Sequence, residues 1–585
     1  GQVSDVPLIE ANDNRVPAGN LVNDILELDL DVVWGDFRVE NTNRPGIRLA
    51  AIAESGKPPS VPGPLIRIET GTIIRARIQN TLVDSTIHVF GFQNRPSDKI
   101  DTLTIKPGGS KTVQFEAGDP GTYLYRIQLG SKISNLRTGA EDQLSGAFII
   151  DPEGGSPSDR IFVMNIFSMP IDTAIISTGF LEALTINGKS WPYTERQKPS
   201  VGDTVRWRII NTSSRNHPMH LHGFYYDVTS VGTLLKDDQY SPENHRTIVT
   251  EFMQRNSTMA MEWVASRPGN WLFHCHLSFH VSPEVRLAKL LEPSDHHSDQ
   301  HMDGLVTGIE IQSGPSDLIE RGDPGYMTLH AYEFPEDSLH QKRFALELED
   351  GSLTETSVPG PVMVLRQYQP TYVTVKNHMS VATGVHWHGL ELDSWADGVP
   401  GWSSSDGKTS PVIQPGEEFT YKLSLMRPGT FIYHSHLDDV HQLTGGLYGA
   451  IIILGEDEEY EPEMEELAIV VWSSPDPQSS ADVEMNGKNG LADPPSREAI
   501  VGETYRIRVM NIAPAGSITT RMVRNEEPVL LNWVAKDGAE FPEHQKREID
   551  VSPRMGVGEA ADFEFTPVKP GTYDLLIGYG RTKWK

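Results

Sequence analysis

An internal repeat of about 300 residues runs through the 585-residue chain. A period that long marks a duplicated structural unit, not a local motif. VGDTVRWRIINTSS at 201–214 returns as VGETYRIRVMNIAP at 501–514, and INGKSWP near 186 returns as MNGKNGL near 485. VPGPLIRI at 61 matches VPGPVMVL at 358, PGTYLYRIQ at 120 matches PGTFIYHSH at 428, and PGNWLFHCH at 268 matches PGTYDLLIG at 570. The order is A–B–A′–B′, with four units of roughly 130–150 residues.

Each unit reads as β-structure. TVRWRII and TYRIRVM alternate polar and apolar residues, the period of a half-buried strand. PG dipeptides between short strand-like runs fit antiparallel sandwiches, and helical periodicity is scarce. Connectors are expected at 293–322 and along the acidic 455–466. The length alone demands several cores. No run of eighteen apolar residues exists, so no transmembrane segment is expected. The start, GQVSDVPLIEANDN, shows no basic-then-apolar signal, so the expectation is a mature chain or one that never had a signal. A formal charge of −30 excludes nucleic acid as a partner, because phosphates would be repelled. It mildly favours cationic or neutral substrates.

Histidine carries the chemistry. HPMHLHG at 217–223, HCHLSFH at 274–280, HWHG at 386–389 and HSH at 434–436 hold ten of the twenty histidines. In a strand, residues i and i+2 share a face while i+1 looks the other way. His274 and His276 therefore point together out of their unit, and Cys275, the one cysteine of the chain, points into its core. His220/His222, His386/His388 and His434/His436 present imidazoles in the same way. Four pairs give eight nitrogen ligands, enough for three metal ions. Cys275 with His217 and His280 leaves a separate His₂Cys set, the trigonal arrangement of a blue copper site. Closed tetrahedral zinc sites fit this donor set less well.

These four clusters resemble the signature motifs of the multicopper oxidases, the family of laccases, ascorbate oxidase and ceruloplasmin. The resemblance implies an all-β chain of four cupredoxin-like Greek-key β-sandwich domains in a duplicated pair: A at 1–153, B at 154–315, A′ at 316–457 and B′ at 458–585. It implies about four copper ions and O2 as co-substrate. His217, Cys275 and His280 match the type 1 ligands, and His220 and His386 the type 2 ligands. His222, His274, His276, His388, His434 and His436 match the type 3 pair. The implied activity is laccase-like, with a small-molecule or metal-ion reductant giving single electrons that pass through Cys275, His274 and His276 to reduce dioxygen to water. A metallo-oxidase of Fe(II), Mn(II) or Cu(I), and a non-catalytic copper-binding scaffold, are the alternatives. A copper nitrite reductase needs no trinuclear cluster and fits four H-x-H pairs poorly. An extracellular or periplasmic protein is expected, monomeric or oligomeric.

The motif order departs from the usual laccase, since HCH here precedes HWHG and HSH, and the arrangement is closer to ceruloplasmin. Units A and B′ are degenerate. His88 survives in A, but Phe90, Arg126 and Gln128 replace ligands, and Ile577 stands in B′ for Cys275. One copper-holding interface, between B and A′, is expected. Asp397, in DSWADGVPG, matches the family's acid near the type 2 site and is the candidate proton carrier. Val281 stands where a second acid is usual, leaving Asp438 or Asp439 as substitutes. The axial position of the type 1 site falls on Val285, Leu305 or Met302, and the loop bearing His296, His297, His301 and Met302 is a candidate for binding an incoming metal ion.

Overall fold

The computed structural model describes residues 6–39, 46–130, 144–170, 180–281, 302–472, 483–488, 496–579 and 582–584. Among the described residues it is a β-protein with one short α-helix, Asp439–Thr444, positioned beside the candidate site. The strand pattern follows from alternation. Thr371–Asn377 buries every second residue, as a strand with one face on a core must.

The sheets pair off along the chain. Ile25–Phe37, Ile73–Asn80 and their neighbours face a sheet built on Gly121–Leu129 and Leu144–Asp151. Thr204–Asn211, Ser257–Val264 and Tyr226–Thr233 face Thr250–Met253, His217–Leu221, Gly269–Cys275 and Val306–Ile311. Gly325–Glu333, Lys342–Glu347, Thr371–Asn377 and Glu418–Leu423 face Met363–Arg366, Tyr448–Leu454, Gly429–Ser435 and Val385–His388. Tyr505–Asn511, Glu559–Phe565 and Leu531–Lys536 face Ile518–Arg524 and Asp574–Tyr579. Among the described residues, each sheet draws its strands from one of these stretches. We propose the domain boundaries 153/154, 315/316 and 457/458 on that pairing, and call the four stretches A, B, A′ and B′.

Pairing is not purely antiparallel. Arg160–Met164 runs parallel to Trp207–Asn211, and Gly325–Ala331 parallel to Thr371–Asn377. The cause is topological: the chain crosses to the other sheet before returning beside its first strand, so that strand gains a neighbour of the same direction. The proposed connector at 293–322 is also shorter than expected, because Val306–Ile311 is a strand paired with Gly269–His274.

The duplication is visible in side chains. Tyr125 Oη donates to Pro64 O and Tyr433 Oη to Pro361 O, both at 2.7 Å. Gly146 and Gly449 lie under these rings, where an added Cβ would sit 2.4 Å from ring carbon. In the repeated NGK turns, Asn187 and Asn486 adopt left-handed φ of 50° and 52°, a conformation Asn tolerates. Each amide ties two backbone positions of an earlier strand, Arg160–Pro170 for Asn187 and Glu465–Trp472 for Asn486.

The core is shared unequally. One apolar cluster runs without a break from B into A′, including Trp207, Phe273, Cys275, Trp387 and Tyr433, whereas A and B′ keep clusters of their own. At the B–A′ seam the loop Ser394–Trp402 lies along Gly269–Cys275. Ser394 Oγ donates to Asn270 O at 2.6 Å, and Trp402 Nε1 to Trp271 O at 3.1 Å. That loop carries Asp397.

Candidate metal centre

All ten clustered histidines and Cys275 are buried. His217–Leu221 pairs antiparallel with Gly269–Cys275, setting His220 opposite His274 and Met219 opposite Cys275. Val385–His388 pairs with Gly429–Ser435, setting His386 opposite His434. The rings of B and A′ interleave across the seam. His220 stacks on His388 with centroids 3.9 Å apart, and His222 on His386 at 4.1 Å.

Four groupings bring three donor atoms within 4.8 Å of one another: His217/Cys275/His280, His220/His222/His386, His222/His274/His436 and His276/His388/His434. The sequence-derived set is thus gathered in two places. On the inner face of B, Cys275 Sγ lies 3.5 Å from His217 Nδ1 and 3.4 Å from His280 Nδ1. The other eight histidines line the seam.

Backbone carbonyls fix which ring nitrogen faces inward, because a carbonyl can only accept. His220 Nδ1 donates to Val249 O at 2.9 Å, and His386 Nδ1 to Asp397 O at 2.7 Å. His274 Nδ1 donates to Cys275 O and His434 Nδ1 to Ser435 O, both at 2.8 Å. His388 is turned over: its Nε2 donates to Gly558 O at 2.7 Å, leaving Nδ1 inward. In the thiolate set, Ser213 Oγ donates to Asn211 Oδ1, so it accepts from His217 Nε2 at 2.7 Å and leaves Nδ1 facing Cys275.

Each inward nitrogen therefore offers a lone pair. The Nε2 atoms of His220, His386 and His434 are buried with no hydrogen-bond partner in the protein, an arrangement that costs about 1–3 kcal/mol per atom unless something binds there. Burial keeps the rings neutral. His217 and His274 are pushed down to about 3 and His434 to about 4, and His220, His222, His276, His280, His386 and His388 also fall well below the ordinary value. Burial raises the Cys275 thiol, and a bound metal ion reverses that by deprotonating it. Neutral imidazoles with pre-set tautomers, three orphaned nitrogens and one thiol form a donor set that fits copper.

Asp397 sits against the array. Its Oδ2 is 2.8 Å from His222 Nδ1 and accepts from Ser403 Oγ at 3.1 Å. Burial pushes its carboxyl up to about 8, against the Ser403 hydrogen bond. Of the two candidate second acids, Asp438 adopts a left-handed φ of 52°, is exposed and bonds His441. Asp439 lies in the field of His434; burial pushes it up to about 7 while His434 pulls it down. Leu305 is buried in the same apolar cluster as Cys275, and its carbonyl accepts from Cys275 N at 3.0 Å. Met302 packs in a different cluster with Trp191, Leu272 and Val306. Val285 and the loop bearing His296, His297 and His301 lie outside the described residues.

The degenerate units hold different chemistry at the matching places. His88 is satisfied by Thr104 Oγ1 at 2.9 Å and Gly130 O at 3.1 Å. The Arg126 guanidinium lies 4.6 Å over the Phe90 ring. Ile577 faces Thr520 within the B′ core, where B sets Cys275 opposite Met219. Among the described residues, the groupings of three donors fall only in B and A′.

Sequence reasoning missed Arg215, which pairs with Glu182 and comes within 3.4 Å of His280 Nε2. It also missed Gly558 and Thr250, whose roles arise from packing between units and leave no local pattern.

A fold of paired β-sandwiches with a thiolate–imidazole set and an eight-histidine seam defines a copper-binding class, and comparison with known proteins agrees. One multicopper oxidase profile matches residues 58–154 and again 345–458, and a second matches 166–293. The chain belongs to the multicopper oxidase family. It is 28% identical over 259 residues to a probable nitrite reductase-hydroxylamine oxidoreductase fusion protein of Kuenenia stuttgartiensis, covering 41% of this chain and 28% of that one. It is 29% identical over 185 residues to copper resistance protein A of Pseudomonas syringae pv. tomato, covering 30% and 28%. It is 43% identical over 102 residues to laccase 1 of Metarhizium acridum, covering 17% and 15%. The chain thus spans less than a third of the length of these relatives. Similar solved structures include the multicopper oxidase mgLAC (22% identity, TM-score 0.38, 50% of this chain and 87% of that one). Another is a Campylobacter jejuni multicopper oxidase described as a metallo-oxidase (14%, TM-score 0.34, 77% and 98%).

Proposed function

We propose that the protein oxidises a reducing substrate one electron at a time and reduces dioxygen to water. About four coppers would be held: one type 1 by His217, Cys275 and His280; one type 2 by His220 and His386; and a type 3 pair by His222/His274/His436 and His276/His388/His434. The observation that carries this reading is the buried array of inward-facing, unprotonated ring nitrogens. Copper supplies one-electron redox chemistry, with thiolate favouring its reduced form and imidazole suiting both.

The chain's own residues divide the remaining work. Cys275 is joined by peptide bonds to His274 and His276, so only a few covalent bonds separate the thiolate set from the seam. Asp397 takes up and releases a proton at Oδ2, beside His222 Nδ1 and Ser403 Oγ, as a general acid–base near its ordinary working range does. Asp439, rather than Asp438, is the second acid. The seam itself excludes bulk water, since every ligand side chain is buried.

The substrate is a phenol, an aromatic amine or a metal ion, and the protein works outside the cytoplasm. Cys275→Ser tests the reading. The expected outcome is that the blue absorbance and the oxidation of every reductant disappear together while copper at the seam is retained. A blue band in the variant would overturn the copper assignment. Steady-state rates with a phenol, a bulky dye and Fe(II), read as O2 uptake, separate the laccase-like from the metallo-oxidase form.

A further inference from the structure

B′ holds no grouping of three metal donors among the described residues, yet three of its backbone and side-chain groups reach the seam. Gly558 O accepts from His388 Nε2. An added Cβ on Gly558 would lie 2.7 Å from His276 Cδ2, so only glycine lets the backbone come this close.

The other two groups act on Val249–Thr250, the B segment behind His220. Asp537 Oδ2 accepts from Val249 N at 3.3 Å and from Thr250 N at 3.1 Å, while its Oδ1 accepts from Ala560 N at 3.0 Å. Lys536 Nζ donates to Thr250 O, to Asp537 Oδ2 at 3.1 Å and to Glu559 Oε1 at 3.2 Å. All three charged residues are buried. Val249 O is the acceptor that fixes the His220 tautomer, and Thr250 Oγ1 lies 3.1 Å from His220 Nδ1 and 3.4 Å from His388 Nε2.

We infer that Asp537 and Lys536 are positioning residues for the type 2 copper, acting from B′ through Val249–Thr250 on the ring of His220. The carboxylate grips both N–H groups of the segment and the ammonium grips its carbonyl, so the Val249 acceptor cannot swing away from the ring. Hydrogen bonds to charged partners are the stronger kind, and here both charges are compensated inside the protein, as buried charges must be. Outer partners of metal-bound histidines set ring orientation in this way. B′ has lost its own ligands while holding in place one ligand each of B and A′. A salt bridge that only glues two domains together would sit anywhere on their interface. This one is spent on the single segment that orients His220.

The inference rests on the copper reading above, and its test keeps the two apart. The copper-loaded wild type is compared with Asp537→Asn for total copper, for the blue band, and for the paramagnetic signal of the type 2 ion. In Asp537→Asn an amide N–H replaces one acceptor oxygen. The expected result is type 2 copper affinity lowered about 10- to 100-fold, with altered hyperfine splitting of what remains and an unchanged blue band. If Asp537→Asn does not fold, Glu559→Gln loosens the ammonium's hold at Oε1 while its remaining carbonyl oxygen can still accept from Gly556 N, and a smaller change in the same signal is expected. Unchanged type 2 copper in a folded variant overturns the inference. A wild type without a blue band and without a type 2 signal overturns the copper reading instead.

Discussion

Units A and A′ are the same scaffold with opposite contents. Tyr125 and Tyr433 make the same hydrogen bond over equivalent glycines, yet A′ presents His386, His388, His434 and His436, where A has His88, Phe90, Arg126 and Gln128. The paired strands also differ in register. Gln128 lies opposite His88 in A, but in A′ it is His434, not His436, that lies opposite His386. The slip is two residues, so every side chain keeps its face. A ligand-bearing face is therefore a removable feature of this sandwich. Arg126 stacked on Phe90 fills the place of two imidazoles with a cation–π pair, and the strand beneath persists.

If the contrast is chemical and not architectural, swapping contents will be asymmetric. His388→Phe, which installs the residue of A in A′, removes a donor of the His276/His388/His434 grouping. At least one copper and dioxygen reduction should be lost, with substrate still bleaching the blue band. Phe90→His should gain no copper, because among the described residues no grouping of three metal donors lies in A, and should cost about 1–3 kcal/mol for burying a ring without partners. Copper analysis and thermal unfolding read both, and any copper gained by Phe90→His over the unsubstituted chain would break the comparison.

Asp397 sharpens it further. Eleven residues after His386 stands the buried Asp397, and eleven after His88 stands Lys99; its neighbour Asp98 is exposed and paired with Lys236, so A has no buried acid at the matching place. Asp397→Asn keeps the shape and removes the exchangeable proton. Reoxidation of the reduced protein by O2 should slow by about 10²–10⁴-fold, with reduction by substrate unchanged in stopped-flow traces. Equal slowing of both halves would mean that Asp397 only holds the loop in place.

Acid separates the units by stability. Seven buried seam histidines, His220, His222, His274, His276, His386, His388 and His434, have folded pKa values below the ordinary 6.5, with His434 near 4 and His274 near 3. The unfolded chain then binds more protons between those limits, so stability is lost as pH falls below about 6.5, by up to about 1.4 kcal/mol per pH unit for each histidine. Copper competes with protons for the same lone pairs, so the metal-free protein should unfold at a higher pH than the loaded one. Hydrogen exchange should show B and A′ amides opening before those of A. Simultaneous opening would show that the units unfold as one.

The strands and the paired histidines were legible because both follow a period of two. The repeat exposed the lost ligands at Phe90, Arg126, Gln128 and Ile577. What stayed hidden depends on distance in sequence. Gly558 meets A′ across 170 residues and Asp537 meets B across 287, and no local pattern encodes such a contact. The different settings of Asp438 and Asp439 were also hidden, because they turn on one left-handed φ. The parallel strand pairs escaped because alternation reports burial, not direction.

The smallest expected effect concerns the proposed type 1 position at Cys275, for which A offers no counterpart. Leu305 shares the apolar cluster of Cys275 and accepts its backbone N–H, while Met302 packs with Trp191, Leu272 and Val306. A leucine has no lone pair to give, so Cu(II) there would lose stabilisation relative to Cu(I), and the reduction potential would stand above that of methionine-ligated sites. Met302→Leu conserves volume and should cost less than about 1.5 kcal/mol, with blue spectrum and potential unmoved. Leu305→Met offers a thioether to the same space and should lower the potential. If Met302→Leu shifts the spectrum instead, the thioether is the axial donor, and the segment before Val306–Ile311 folds back onto Cys275.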